Sequence, residues 1–202
     1  MFNRIKELAR RRKLVLASRS PRRVALLKEL GISFEQIVPT LVEHRQSGEP
    51  PFEFARRLAR DKAVAVARQC NENHVVIGCD TVVVLDNQVL QKPMDKEDAF
   101  AILSRLAGKQ HVVCTALALA GGSKVIADGF ELTDVFFNPA PPQQIRKYIE
   151  TGEPTDKAGA YGIQGMGAFL VDRIKGNLDN VIGLPRTLLD GLADRVLTAM
   201  PE

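Results

Sequence analysis

The amino-acid sequence predicts an α/β fold in which helices flank a mixed β-sheet. Apolar runs of strand length alternate along the chain with segments of helical periodicity. Two apolar runs, 111–120 and 124–137, lie on either side of Gly121 and Gly122, as the strands of a hairpin do, so the sheet is not purely parallel. With 202 residues, 45% of them hydrophobic, the chain can bury a substantial core.

The first part of the chain alternates strands and helices. An apolar strand is predicted at 14–17, and Pro21 then begins a helix that runs to Leu30 and is closed by Gly31. A second strand is predicted at 34–38, followed by a polar loop at 40–51. From 52 to 69 apolar residues recur every three or four positions, which predicts a long helix.

The remaining elements follow from the same signals. Apolar strands are predicted at 75–79 and 81–85, with a turn at Asp86 and Asn87 before a short strand at 89–90. A helix at 96–106 precedes the hairpin. After the hairpin we expect a helix at 143–150, a glycine-rich loop at 152–167, a strand at 169–174 and a closing helix at 185–199.

The positive charge is concentrated at one end of the chain. Six basic residues and one acidic residue lie within residues 1–13, whereas the whole chain carries a net charge of +4, so the remainder has one excess negative charge. We therefore divide the chain into a basic N-terminal arm, 1–13, and a single domain, 14–202. With two Tyr and no Trp for base stacking, we do not expect nucleic acid as the partner.

Cysteine usage and hydropathy predict a cytoplasmic protein. The three cysteines, Cys70, Cys79 and Cys114, are odd in number and form no CxxC pair, which argues against disulfides or a zinc site. No apolar run reaches the length of about 20 residues that spans a bilayer, and residues 1–13 lack the apolar stretch of a secretory signal. We expect no membrane association.

The first candidate site follows the first strand. Ser18, Arg22 and Arg23 surround the predicted helix start at Pro21, where unpaired backbone N–H groups and the helix dipole favour an anion. A serine N-cap followed by solvated arginines is an equally good interpretation of these residues alone.

The second candidate site contains carboxylates and lysines. Asp80 and Thr81 follow an apolar strand, where a carboxylate serves as a metal ligand, a general base or a turn residue. Glu43 is either a second ligand for a hard cation or an ordinary surface residue. Lys62 lies within the apolar face of the long helix. It either binds phosphate, or its aliphatic stem packs there while its amine reaches water. Lys92 adds a further cation.

The third candidate site is the glycine-rich loop. Five glycines between 152 and 167 allow the backbone to approach a ligand closely or to adopt positive φ. The chain contains no P-loop, GxGxxG, GxSxG or HExxH motif. Basic residues, carboxylates and a glycine-rich loop together indicate metal-assisted phosphoryl chemistry.

Six short motifs occur in a fixed order along the chain: LASRSPRR at 16–23, RLARDKA at 57–63, GCDT at 78–81, Lys92-Pro93, GEPTDKAGAYGIQG at 152–165 and VIGLP at 181–185. These motifs and their order resemble those of the Maf family, and the first matches the family's N-terminal signature. The resemblance implies two lobes around a deep nucleotide-binding cleft. It also implies hydrolysis of a nucleoside triphosphate to the monophosphate and pyrophosphate.

The resemblance also assigns roles to residues of this chain. Asp80 would accept the proton from the attacking water, and Glu43 with Asp80 would hold a divalent cation, Mg²⁺ or Mn²⁺. The phosphates would be bound by Ser18, Arg23, Lys62 and Lys92. The substrate would be selected by Arg22, Thr81 and Gln164.

The block around Gln164 is most similar to the subtype that acts on dTTP and UTP. A glutamine amide offers both a donor and an acceptor, which complements the N3–H and carbonyl edge of these bases. One departure is the segment 177–179, which lacks the tyrosine that the family carries before Val181. The alternatives are a nucleotide-binding regulator of septum formation and a Maf subtype with another nucleotide preference, and a homodimer is left open.

Overall fold

The computed structural model describes residues 2–199, which form seven helices and seven strands. The helices are α1 (Asn3–Arg11), α2 (Pro21–Lys28), α3 (Pro51–Ala67), α4 (Lys96–Leu106), α5 (Pro142–Glu150), α6 (Leu178–Ile182) and α7 (Arg186–Ala199). The strands are β1 (Lys13–Ala17), β2 (Phe34–Gln36), β3 (His74–Leu85), β4 (Gln88–Leu90), β5 (Gln110–Gly121), β6 (Lys124–Phe137) and β7 (Val171–Lys175).

The strands form a mixed sheet in the order β2-β1-β3-β5-β6-β7, and β4 pairs with β3. Strand β1 is parallel to both β2 and β3, whereas β3–β4 and β6–β7 are antiparallel. The predicted mixed α/β fold is therefore confirmed.

Two compact units are present. Among residues 2–199, one unit contains those up to Asp80, Thr115–Glu131 and those from Gly183 onward, and the other contains Thr81–Cys114 and Leu132–Ile182. The core of the second unit is apolar and fully buried at Leu103, Leu106 and Leu170, with Val135 of β6 among them. That residues 14–202 form a single domain stays a prediction.

Most predicted elements are confirmed within a few residues, and the differences have local causes. Strand β3 continues through Asp80, where two strands were expected, because its burial pattern is apolar on both sides of this residue. The glycine-rich loop contains short 3₁₀ turns, the last at Met166–Leu170, so β7 begins two residues later than predicted. Helices α1 and α6 were not predicted.

Helix α1 lies within the segment that the sequence marks as a basic arm. Its Ile5 and Leu8 are 0% and 2% exposed, respectively, and the helix packs on α7. The Ile5 backbone N–H donates to the Asp190 carboxylate at 2.9 Å. The segment therefore contributes apolar burial as well as charge.

Deleting residues 1–12 is expected to lower the free energy of unfolding by about 3 kcal/mol, because burial of each large apolar side chain contributes roughly 1.5–3 kcal/mol and ordering the helix offsets part of this. The kcat/KM of the remaining folded protein should stay within a few-fold. Urea unfolding and steady-state kinetics measure both. The control is Arg10→Gln, which removes one exposed charge and should leave the unfolding midpoint unchanged. A loss of activity of about 100-fold in the deletion would contradict the expectation.

The second unit contains a buried histidine. His111 is 2% exposed, its Nε2 lies 2.9 Å from the Tyr161 hydroxyl, and within residues 2–199 its buried Nδ1 has no hydrogen-bond partner. Its ring also meets Phe137 edge-on, with centroids 4.8 Å apart. Burial lowers the pKa of His111 from 6.5 to about 4.

This depressed pKa predicts acid lability. Unfolded chains bind a proton at His111 below pH 6.5 whereas the folded protein resists it until about pH 4, so stability is full above the higher value and is lost as pH falls between the two. The expected loss is about 3 kcal/mol over the interval. His111→Gln should remove this part of the pH dependence, measured as the difference between the two proteins in unfolding free energy at several pH values. Parallel curves would contradict the expectation.

No helix within residues 2–199 is long and apolar enough to cross a membrane.

Candidate active site

Two neighbouring parallel strands, β1 and β3, place the first group of candidate residues. Ala17 of β1 pairs in register with Gly78 of β3, so Ser18 and Asp80 follow the paired positions on neighbouring strands. A Cβ at Gly78 would overlap the Ala59 carbonyl oxygen and Ala63 of α3. The glycine thus lets α3 lie directly on β3, which brings Lys62 to Asp80.

Lys62 connects the two predicted carboxylates. Its Nζ lies 2.6 Å from Asp80 Oδ1 and 2.8 Å from Glu43 Oε1. Lys62 is 8% and Asp80 6% exposed, whereas the Glu43 side chain is 42% exposed. The lysine therefore makes a buried ion pair rather than extending its amine into water. Burying an ammonium group is costly unless a partner of opposite charge lies beside it, and here two carboxyl groups contact it.

Burial raises the pKa of Asp80 above its usual range, although the Lys62 ammonium lowers it and Glu43 adds to the increase. A carboxylate with a raised pKa is a stronger proton acceptor than an exposed one. Asp80 can therefore act as a general base once it is ionised, a state that Lys62 stabilises.

A second cluster, formed by Ser18 and Arg23, adjoins Asp80. The Arg23 guanidinium donates to Ser18 Oγ at 3.2 Å, to the Cys79 carbonyl at 3.0 Å and to the Gly183 carbonyl at 2.9 Å. Helix α2 begins at Pro21 with Ser20 as N-cap. The N-cap interpretation of this motif is thus correct for Ser20, and Ser18 and Arg23 form a cationic position beside the helix start. Arg22 lies in the first turn and is half-buried.

The loop that contains Glu43 is anchored by Arg57, which sequence reasoning did not single out. Its guanidinium donates to both carboxylate oxygens of Glu49, at 2.6 and 2.9 Å, and to the His44 carbonyl at 2.9 Å. These hydrogen bonds hold the loop to α3 one residue after Glu43. The sequence signal that could have identified Arg57 is its place in the motif RLARDKA at 57–63, which also contains Lys62.

The other predicted site residues lie in the second unit. Thr81 is half-buried in β3, and Lys92 is exposed after β4. Gln164 is exposed within the glycine-rich loop, and its side chain has no hydrogen-bond partner in residues 2–199. Its amide is therefore available to bind a ligand.

Glu43 and Asp80 fit a divalent cation as a partial donor set. Both carboxylates contact the same ammonium group, so their oxygens converge on a position that a positive charge already occupies. No cluster of three potential metal-ligating side chains exists between residues 2 and 199. Mg²⁺ is commonly held by one or two carboxylates together with substrate phosphates and water, and two carboxylates meet that requirement.

Comparison with known proteins decides the family. The family model described as "Maf-like protein" matches residues 13–196. The chain belongs to the Maf family. Relatives named dTTP/UTP pyrophosphatase include one from Syntrophomonas wolfei, 46% identical over 181 residues, covering 89% of this chain and 95% of the relative. Another, from Vibrio cholerae, is 46% identical over 173 residues and covers 86% and 92%.

A solved structure supports the fold of this Maf protein. A HAM1 protein from Coxiella burnetii aligns with a TM-score of 0.50 at 16% identity, covering 94% of this chain and all of that one. At this identity the similarity concerns the fold alone. The residues quoted above for the family resemblance lie within the matched range 13–196.

Proposed function

We propose that this Maf protein hydrolyses dTTP and UTP to the monophosphate and pyrophosphate. The observation that carries the proposal is Lys62, which is buried between Asp80 and Glu43 beside the Ser18–Arg23 cluster. A proton acceptor, a cation-binding carboxylate and positive groups for phosphate are the parts that such a reaction requires. The names of the relatives specify the bases.

The reaction would begin with a water molecule beside Asp80. As the water oxygen bonds to the α-phosphorus, Asp80 accepts its proton, the bond from the α-phosphorus to the bridging oxygen breaks, and pyrophosphate leaves. Lys62 stabilises the ionised form of Asp80, and its ammonium would also bind a phosphate oxygen. The remaining phosphate charge would be bound by Ser18, Arg23 and Lys92.

A divalent cation, Mg²⁺ or Mn²⁺, held by Glu43 and Asp80 would neutralise phosphate charge and make the phosphorus more electrophilic. The base would be selected by Gln164 together with Arg22 and Thr81. Gln164 can donate to a carbonyl and accept from N3–H, the pattern that uracil and thymine share. The cytoplasmic location, the homodimer and the absence of a nucleic-acid partner stay predictions of the sequence.

The experiment is a screen of UTP, dTTP, CTP, ATP and GTP with Mg²⁺ and with Mn²⁺, scored separately for pyrophosphate and orthophosphate. We expect pyrophosphate from UTP and dTTP, at a kcat/KM at least tenfold above that for ATP and GTP. Orthophosphate as the first product would contradict cleavage between the α- and β-phosphates. Nucleotide binding without turnover would instead support the regulator of septum formation.

A further inference from the structure

The backbone on both sides of Gln164 is held by two side chains that the assigned roles do not include. We propose that Tyr148 and Glu153, here called the loop clamp, are positioning residues that determine base selectivity by fixing the segment 162–167. The proposal rests on the proposed function, because it concerns how Gln164 meets the base.

The loop clamp binds the segment on each side of Gln164. On the N-terminal side, the Gly162 N–H donates to the Tyr148 hydroxyl at 3.1 Å. On the C-terminal side, the Met166 N–H donates to Glu153 Oε2 at 2.8 Å and the Gly167 N–H donates to Oε1 at 3.2 Å. The Gln164 peptide thus lies between two anchored ends.

The clamp is itself tied together and supported by packing. The Tyr148 hydroxyl donates to Glu153 Oε1 at 2.9 Å, so one hydroxyl and one carboxylate account for all three anchoring acceptor atoms. Tyr148 is 3% exposed, and its ring meets Phe169 edge-on with centroids 5.9 Å apart. Burial by itself raises the pKa of Glu153, but the hydrogen bonds from the Met166 N–H and the Tyr148 hydroxyl lower it. The net result is a pKa below the usual value. The carboxylate therefore stays ionised as an acceptor.

Three glycines allow the loop to approach the clamp this closely. A Cβ at Gly162 would lie 2.8 Å from Glu153 Oε1, one at Gly165 would overlap the Glu153 carboxylate, and one at Gly167 would lie 2.6 Å from the Tyr148 hydroxyl. None of the three has positive φ. The glycines of this motif are thus required for space, and the space they leave is filled by the clamp.

This arrangement has a consequence for substrate choice. Gln164 is exposed. Its position therefore depends on the backbone that the clamp holds. Displacement of a binding group by about 1 Å can lower a rate by up to about 10²-fold, and here the loss should fall on the bases that Gln164 recognises.

The test compares Tyr148→Phe and Glu153→Gln with the wild type on UTP, dTTP, CTP and GTP. Tyr148→Phe keeps the ring and removes the hydroxyl, whereas Glu153→Gln keeps the shape and replaces one of the two carboxylate acceptors with an NH₂ group. We expect kcat/KM for UTP and dTTP to fall about tenfold, mainly through KM, and that for GTP to change less than threefold. CTP, whose edge a rotated Gln164 amide also satisfies, should fall by an intermediate factor. The control Thr155→Ala, which removes an exposed hydrogen bond to the Gly152 carbonyl in the same turn, should change none of them.

A double-mutant cycle separates positioning from general support of the fold. In a Gln164→Ala background, Tyr148→Phe should change kcat/KM for UTP less than threefold, since the group that the clamp positions is gone. Equal losses on all four substrates, or additive effects in the cycle, would overturn the clamp proposal while the wild-type preference for UTP and dTTP still supported the function. A wild type without that preference would overturn both. Circular dichroism and thermal unfolding establish that each variant is folded.

Discussion

Replacing Asp80 by asparagine is expected to lower kcat for pyrophosphate release by about 10²–10⁴-fold, the usual contribution of a general base. The amide has the shape of the carboxylate but accepts no proton at neutral pH. It is also a weaker ligand for a divalent cation, which increases the loss. The buried Lys62 keeps the Glu43 carboxylate as a partner at 2.8 Å, so the folded structure should persist.

The pH dependence follows from the same residue. Burial raises the pKa of Asp80, and only the ionised form accepts a proton, so kcat/KM of the wild type should rise with pH through this raised pKa. In Asp80→Asn that rise should disappear from the residual activity. Steady-state rates across pH, with pyrophosphate as the measured product, provide the comparison.

Asp128→Asn is the matched control. Asp128 pairs with Arg56 and Arg60 of α3, the helix that contains Lys62, so it tests whether loss of a carboxylate paired with this helix is harmful in itself. We expect kcat/KM within threefold of the wild type. Near-normal pyrophosphate release by Asp80→Asn would show that another group accepts the proton.

Gln164→Glu is expected to lower kcat/KM for UTP by about 10–100-fold. The carboxylate cannot donate to a pyrimidine carbonyl, and it places a negative charge beside that oxygen. A polar mismatch of this kind costs on the order of 1–3 kcal/mol. GTP, which offers N1–H and N2–H donors, should lose less than UTP or improve.

CTP is the informative competitor in this experiment. Cytosine presents an acceptor and an amino donor where uracil presents N3–H and a carbonyl, and a rotated glutamine amide satisfies either edge. The wild type should therefore discriminate against CTP only partly through Gln164, with Arg22 and Thr81 supplying the rest. The measurement is kcat/KM for UTP, dTTP, CTP and GTP on both proteins with one metal ion.

Gln143→Glu introduces the same charge at an exposed position of α5 and should leave all four values unchanged. Parallel losses on the four substrates in Gln164→Glu would mean that Gln164 supports the loop rather than recognising the base. The loop-clamp variants, in contrast, keep the Gln164 side chain and change only the backbone that holds it.

The sequence predicted most helices and strands because their signals are local. Helix α4 was predicted at its observed bounds, 96–106, since an amphipathic period and its flanking residues lie within one short segment. Helix α1 was not, because its nine residues include four Arg or Lys and only a few apolar ones. Ile5 and Leu8 are buried because α1 packs on α7, which is more than 170 residues away along the chain.

The sequence by itself determined the residue types available for phosphoryl chemistry, the order of the family motifs and the glycine-rich loop. It left Lys62 open between a solvated and a site-directed side chain, and it left Glu43 open between a ligand and a surface residue. The tertiary structure decided where Lys62 lies, because the absence of a side chain at Gly78 lets α3 pack on β3 and so brings the Lys62 ammonium to within 2.8 Å of each carboxylate. That Glu43 is a metal ligand stays a prediction. Burial then raises the pKa of Asp80. Desolvation and ion pairing act between residues that are distant in sequence, so only the folded chain specifies them.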